Sequence, residues 1–382
     1  MYFKKPKTKT SLKACTINHF VLLMLAFLIV SFTACSPKTS GEKLQKILDK
    51  GVKKHKLRGV SVAVAFGSDS VWTGTSGISH DTVAMHPDML FSIGSVTKNF
   101  VATLTLKLAE KGVLSLDDQL SDWLPDYPYI DPGITIRQLL NHTSGIFMYW
   151  NNDDLWKALI ADRNRVWKPE EVLEYIREPH YPPGEGWRYS NTNYLLMAMI
   201  IEKATGETLG TNFKKQLWEP HQMQNYYLWL ADSIPANQAH VFGDNFVFGA
   251  AEQDLTFKPR ASHESIGFGS SGIVTTAADL ARWSQTLFEG EVLSKTSMEE
   301  MLDFVDFAPV ANMKAYGLGV QLFILKVTWG RKAWGHGGGN IGSATYMIYL
   351  PKTHTSVVVM VNAFPTNSVD YFARQIIREI TR

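Results

Sequence analysis

The sequence predicts an α+β fold in which an antiparallel sheet, flanked by terminal helices, carries a large and mostly helical insert. Three observations predict it. Strand-like apolar runs occur near the start of the chain body and again near its end, the pattern from Ser95 to about Ala278 is mostly helical, and no repeat, low-complexity block or long linker interrupts residues 45–382. With 382 residues, 45% of them apolar and 12% aromatic, one continuous domain can bury a full core.

The elements follow in order. Lys43 to Lys54 has helical spacing. Gly59 to Phe66 is a buried-strand run, and a turn at Gly67-Ser68-Asp69 leads to a second strand at Val71 to Gly74. Within the insert, helices are predicted from Ser95 to Lys111, closed by Gly112, over Ile136 to Asn141, over Glu170 to Arg177, and from Tyr194 to Ala204, closed by Gly206. Asp279 to Phe288 adds another. Strand patterns return at Tyr316 to Leu325, Lys332 to Gly335, Ala344 to Leu350 and Ser356 to Val361, before a helix from Ser368 to Ile380.

The first residues have the pattern of an export signal. Lys4, Lys5, Lys7, Lys9 and Lys13 precede any acid, and the apolar run Phe20 to Phe32 is shorter than the roughly 20 residues of a membrane-spanning helix. Residues 1–34 are therefore expected to be cleaved, and 35–44 to form a polar tether. Phe32-Thr33-Ala34-Cys35 resembles a bacterial lipobox, which implies a lipidated Cys35, a membrane anchor and a place on the periplasmic side of the envelope. Ordinary cleavage near Ala34, leaving Cys35 a plain thiol, is the alternative. Without the five leader lysines the formal net charge falls from +2 to −3, so nothing points to nucleic acid. Both cysteines, Cys15 and Cys35, belong to the leader or its end, which excludes disulfides, thiolate metal sites and a cysteine nucleophile from the body.

Three motifs carry chemistry. In Ser95-Val96-Thr97-Lys98 the three-residue offset places both functional side chains on one helical face. Ser95 then sits at the positive helix end, and a desolvated Lys98 can accept its proton. Alone this means little, since Ser40-Gly41-Glu42-Lys43 has the same spacing. Tyr189-Ser190-Asn191 supplies a phenol that, held partly as phenolate, can serve as base and then acid, and an amide, Asn191, that can hold the lysine and a substrate carbonyl. Tyr149-Trp150-Asn151 is its decoy. His336-Gly337-Gly338-Gly339 permits close backbone approach, so that a substrate can pair along this edge and Gly339 can offer an oxyanion-hole N–H opposite that of Ser95. Each motif also has a plain reading: a serine cap with a solvated lysine, an asparagine cap beside a packed tyrosine, a glycine-rich hairpin. Phe147, Tyr149, Trp150 and Trp334 read either as a wall around an acyl group or as core packing.

The ordered set Ser-x-x-Lys, Tyr-x-Asn and His-x-Gly resembles the penicillin-recognising serine hydrolases, which comprise class C β-lactamases, D,D-carboxypeptidases and their esterase relatives. Leu139 to Gly145 and Tyr316-Gly317-Leu318-Gly319 are similar to further signatures of that family. The likeness spans about residues 45–380 and implies a β-lactamase/transpeptidase-like fold, with the helical subdomain at about 95–278. It implies Ser95 as nucleophile, Lys98 and Tyr189 as the proton-handling pair and Asn191 as a positioning residue. His336, Gly337 and Gly338 would bind substrate, and the Ser95 and Gly339 N–H groups would form the oxyanion hole. His336 in place of a lysine argues against an efficient β-lactamase, and Gly337 stands where a threonine would help hold a substrate carboxylate.

The expected activity is acyl-enzyme hydrolysis of an amide or ester in the cell envelope, most like that of a D,D-carboxypeptidase or a related peptidase or esterase, on a small-molecule or peptide substrate, with no cofactor or metal. A β-lactamase and a non-catalytic penicillin-binding sensor are the competing readings. No G-x-S-x-G, H-x-H or H-E-x-x-H occurs, which removes the α/β-hydrolase and zinc alternatives.

Overall fold

The computed structural model describes residues 40–67, 70–243, 253–310, 313–325, 331–363 and 368–382. The expected signal segment 1–34, the lipidation site Cys35 and the tether as far as residue 39 lie outside the described residues, as do Ser68 and Asp69 of the first predicted turn. Lys43–Arg382 forms one compact unit, and of the unit before it, Met1–Glu42, only the opening of a helix is described.

In chain order, helix α1 (Ser40–His55) leads into strands β1 (Gly59–Phe66), β2 (Ser70–His80) and β3 (Val83–Ala84). Strand β4 (Phe91–Ser92) precedes a 3-10 turn (Gly94–Val96) and α2 (Thr97–Glu110). The rest of the insert contains α3 (Asn191–Thr205), β5 (Tyr227–Leu228) and β6 (Ile273–Thr275), with shorter helices between them. Helix α4 (Ala277–Phe288) is followed by β7 (Val305–Val310), β8 (Met313–Tyr316), β9 (Gln321–Leu325), β10 (Arg331–Asn340), β11 (Ser343–Leu350), β12 (Thr355–Val361) and α5 (Ser368–Ile380).

Nine strands form one sheet in the order β3-β2-β1-β12-β11-β10-β9-β8-β7, and its pairings are antiparallel. The two ends of the chain meet at its centre, where Val60 to Phe66 pairs with Val361 to Thr355. These strands read as unbroken apolar runs because both faces are covered. Val60, Val62, Val64, Val357, Val359 and Val361 pack with the terminal helices, whereas Ala63, Ala65, Val358 and Met360 face the larger core shared with α4 and the insert. Helix α5 presents Val369, Phe372, Ala373, Ile376 and Ile377, a single apolar stripe at helical spacing, to the first of these layers.

Several sequence expectations are corrected. Tyr316 to Leu325 is two strands, because residues 317–320 form a turn closed by the Gly317 N–H on the Val320 carbonyl. The strand expected at Lys332 to Gly335 runs on to Asn340 and contains the glycines, and Val71 to Gly74 extends to Ser70–His80. The helix expected over Glu170 to Arg177 is the shorter Pro169–Leu173. The tether ends sooner than residue 44, since α1 starts at Ser40. The mostly helical insert also contributes β5 and β6 to a small antiparallel sheet with β4, which lies just before it.

Phe372 is fully buried between α1 and the sheet, with its ring at the place where Gly51 has no side chain. Phe372→Ala should lower the unfolding free energy by about 3–5 kcal/mol, read as a shifted urea midpoint, since it leaves a cavity that the rigid sheet cannot close.

Candidate active site

Ser95 lies in the 3-10 turn immediately before α2. Its neighbours Gly94 and Val96 are buried, while Ser95 keeps part of its surface open to solvent. Lys98, one turn into the helix segment, is fully buried. Its Nζ lies 3.0 Å from Ser95 Oγ and donates to the Ser270 carbonyl at 2.8 Å. Burial drives the Lys98 pKa well below that of an ordinary lysine, with no carboxylate bonded to it among the described residues, which favours the uncharged amine and a lone pair that can accept the serine proton.

Tyr189 shares a hydrogen bond with the Ser95 side chain, and its ring centroid lies 4.9 Å from Lys98 Nζ. Burial raises the phenol above its ordinary pKa of 10.0. The expected partial phenolate is therefore corrected. Separating charge onto Tyr189 and Lys98 would place two ions in a water-poor site, and the neutral pair costs less.

Asn191 opens α3 and is 8% exposed. It was expected to hold the lysine, but the Lys98 partners are Ser95 and Ser270, because the turn at residues 267–271 presents a carbonyl to the amine. Asn191 Oδ1 is buried and makes no hydrogen bond among the described residues, which leaves an acceptor for a ligand N–H.

Strand β10 forms the opposite wall. The hairpin to β11 closes at Asn340 opposite Ser343, so Asn340, Gly338 and His336 direct their backbone groups toward β11. Gly339 and Gly337 face the other way, beyond the last β9 pair at Gly335 and Gln321. This outer edge runs against the serine turn at contact distance. A Cβ on Gly338 would lie 2.0 Å from the Ile93 carbonyl oxygen and 3.0 Å from Ser95 N, and one on Gly94 would lie 2.4 Å from the Gly339 carbonyl oxygen. The Gly339 and Ser95 N–H groups thus belong to two backbones that only glycine lets approach so closely.

His336 departs from its expected substrate-binding role. It is 1% exposed, Tyr316 donates to its Nε2 at 2.8 Å, and its Nδ1 donates to the Gly337 carbonyl at 2.6 Å. Both nitrogens are committed, so the ring braces the strand. Desolvation first, and the nearby Lys98 second, pull its pKa down to about 3.

The decoys resolve as structural. Lys43 pairs with Glu379 at 3.2 Å, and the buried Tyr149 donates to the Ile266 carbonyl, fixing the turn that carries Ser270. Trp150 packs on Trp156 and His263, and Trp334 on Phe288 and Tyr349. Phe147 carries the backbone carbonyl that accepts from Thr192 Oγ1.

The segment Leu139 to Gly145 is a clamp for the tyrosine loop. His142 Nδ1 accepts from the Ser190 N–H at 3.3 Å and lies 3.1 Å from Asn193 Nδ2, while its ring sits 4.4 Å from that of Tyr189. Ser144 donates to Asn193 Oδ1 at 2.7 Å. Sequence reasoning missed Ser270, Asn193 and Gln321. Only Ser270 carried a signal, the glycines at 267, 269 and 272 around it.

The Beta-lactamase family profile matches residues 44–382, and the chain belongs to that family of serine hydrolases. Penicillin-binding protein 4* of Bacillus subtilis (strain 168) is 28% identical over 319 residues, 80% of this chain and 68% of that protein. The chain spans 54% and 64% of two other curated relatives. Among solved structures, a D-stereospecific amidohydrolase from Streptomyces sp. superposes with a TM-score of 0.73 at 27% identity, covering 86% of this chain and 97% of that one. A D-amino acid amidase from Ochrobactrum anthropi SV3, solved with D-phenylalanine, shares the fold with a TM-score of 0.80 at 24% identity, covering 89% and 99%.

Two outcomes are expected. Gly338→Ala should reduce kcat by about 100-fold or more without unfolding the protein, checked by circular dichroism beside the assay, because the two oxyanion-side backbones must separate. His336, whose pKa is depressed on folding, contributes stability that is complete above the unfolded value near 6.5 and is lost as pH falls toward about 3. The urea midpoint of the wild type should fall over that window more steeply than that of His336→Asn.

Proposed function

We propose that this protein hydrolyses an amide or ester bond in the cell envelope through an acyl-enzyme on Ser95, with substrates containing a D-amino acid ahead of small esters. One observation carries the reading: a solvent-reachable serine at a helix start, 3.0 Å from a fully buried lysine amine.

Ser95 Oγ gives its proton to Lys98 Nζ as it bonds to the substrate carbonyl carbon, and the electron pair moves to the carbonyl oxygen, between the Ser95 and Gly339 N–H groups. Collapse breaks the bond to the leaving nitrogen or oxygen. That atom takes the Tyr189 hydroxyl proton, which the Lys98 ammonium replaces. Asn191 Oδ1 accepts an N–H of the acyl part. Water then repeats the sequence on the ester and regenerates Ser95. A leader of residues 1–34 would direct export and be removed, and a lipidated Cys35 would hold the enzyme on the periplasmic side of the envelope.

A relative described as a D-stereospecific amidohydrolase supports amide cleavage in a D-configured substrate. The β-lactamase reading is disfavoured by an uncharged His336 in the third motif, and the sensor reading by the intact Ser95, Lys98 and Tyr189.

A fluorophosphonate should label the wild type and not Ser95→Ala, which should also lose at least about a thousandfold in kcat. Ranking kcat/KM over D-alanyl substrates, p-nitrophenyl esters and a chromogenic cephalosporin should place the cephalosporin last. Fast cephalosporin turnover would overturn the reading.

A further inference from the structure

The edge of β10 that faces the cleft is not free along its length. The Gly337 N–H donates to Gln321 Oε1 at 2.9 Å, and the Gly337 carbonyl accepts from His336 Nδ1 at 2.6 Å. Both backbone groups that an extended ligand would need at this position are taken by side chains of the same chain. Docking along the strand is thereby reduced to Gly339, and the expectation of pairing over the whole glycine run narrows to one residue.

The two capping groups share a second property: neither carries a charge. Gln321 is an amide, and its orientation is fixed by its partner, because a backbone N–H can only be met by the amide oxygen. Its NH2 is therefore turned away from the strand as a neutral donor. His336, whose ring lies 6.4 Å from that of Tyr189, the proton donor to the leaving atom, marks this as the leaving-group end, and it is neutral and enclosed, with both nitrogens occupied. Gly337 itself adds no hydroxyl. A carboxylate brought to this end of the cleft would shed water and meet amide and imidazole dipoles in place of a cation, whereas a carboxamide, an ester or a plain alkyl group loses far less on the same transfer.

We propose that Gln321 is a specificity-determining residue that, by capping Gly337, makes the leaving-group end of the site select substrates uncharged at that end and reject those ending in a free carboxylate. This rests on the acyl-enzyme reading and sharpens it. The preferred substrates are D-aminoacyl amides and esters, in place of the carboxyl-terminal dipeptides that a D,D-carboxypeptidase trims. Gln321 touches the strand edge and leaves the reacting atoms to Ser95, Lys98 and Tyr189, so its influence falls on KM more than on kcat.

The test uses two substrates with the same scissile ester, acetyl-D-alanyl glycolate and acetyl-D-alanyl glycolamide, which differ only in the distal charge. The wild type should favour the glycolamide at least tenfold in kcat/KM. Gln321→Arg should narrow that ratio at least tenfold, chiefly through KM for the glycolate, and Gln321→Lys should do the same with a differently shaped cation. Equal or better use of the glycolate by the wild type would overturn the proposal, as would an unmoved ratio in folded Arg and Lys variants. Fluorophosphonate labelling separates this from the underlying reading. A wild type labelled at Ser95 that prefers the glycolate refutes only the selectivity, whereas a folded wild type that is not labelled refutes the acyl-enzyme.

Discussion

The site depends on one constraint, the enclosure of the Lys98 amine away from water with no carboxylate bonded to it among the described residues. Every surrounding feature serves that condition. Its helix neighbours Val96, Thr97 and Asn99 are buried, the Ser270 carbonyl satisfies its N–H, and the Ser95 hydroxyl lies within hydrogen-bond reach of it. A carboxylate beside Lys98 would restore its charge and remove the base. The same scarcity of water raises the Tyr189 pKa and lowers those of His142 and His336, so it favours the neutral form of each.

The second constraint is contact between two backbones. The turn at Gly94–Val96 belongs to the insert, and Gly338 and Gly339 belong to the sheet. Their approach leaves no room for a Cβ on Gly94 or Gly338. The oxyanion-side geometry therefore depends on the insert seating against β10, which His336 braces from Tyr316 on β8 and Gln321 pins from β9. The clamp from His142, Ser144 and Asn193 does the same for the tyrosine loop. The groups that cap Gly337 are thus separate from those gathered around the Ser95 hydroxyl.

Much of the frame was legible along the chain. The central strands announced themselves because they are apolar on both faces, and α5 because its apolar residues keep a helical period. The three motifs were legible because catalysis fixes both residue type and spacing within a helix turn or a loop. The short pieces were not. Strands β4, β5 and β6 have two or three residues each, too few to establish a period, and are held by pairing across large sequence separations. Tyr316 to Leu325 read as one strand because the turn at residues 317–320 is itself apolar and buried in part, so hydrophobicity did not mark the break.

The roles of individual polar residues divide the same way. By itself the sequence marked Ser95, Lys98, Tyr189 and the glycine run as the candidate site, because those depend on local offsets and on residue chemistry. Only the tertiary structure decided that Ser270 rather than Asn191 holds Lys98, that His336 braces a strand rather than meeting substrate, and that Gln321 closes the edge beside it. Each of these is a contact between distant segments, and it is burial, produced by the packing of those segments, that sets whether a lysine, a phenol or an imidazole is charged.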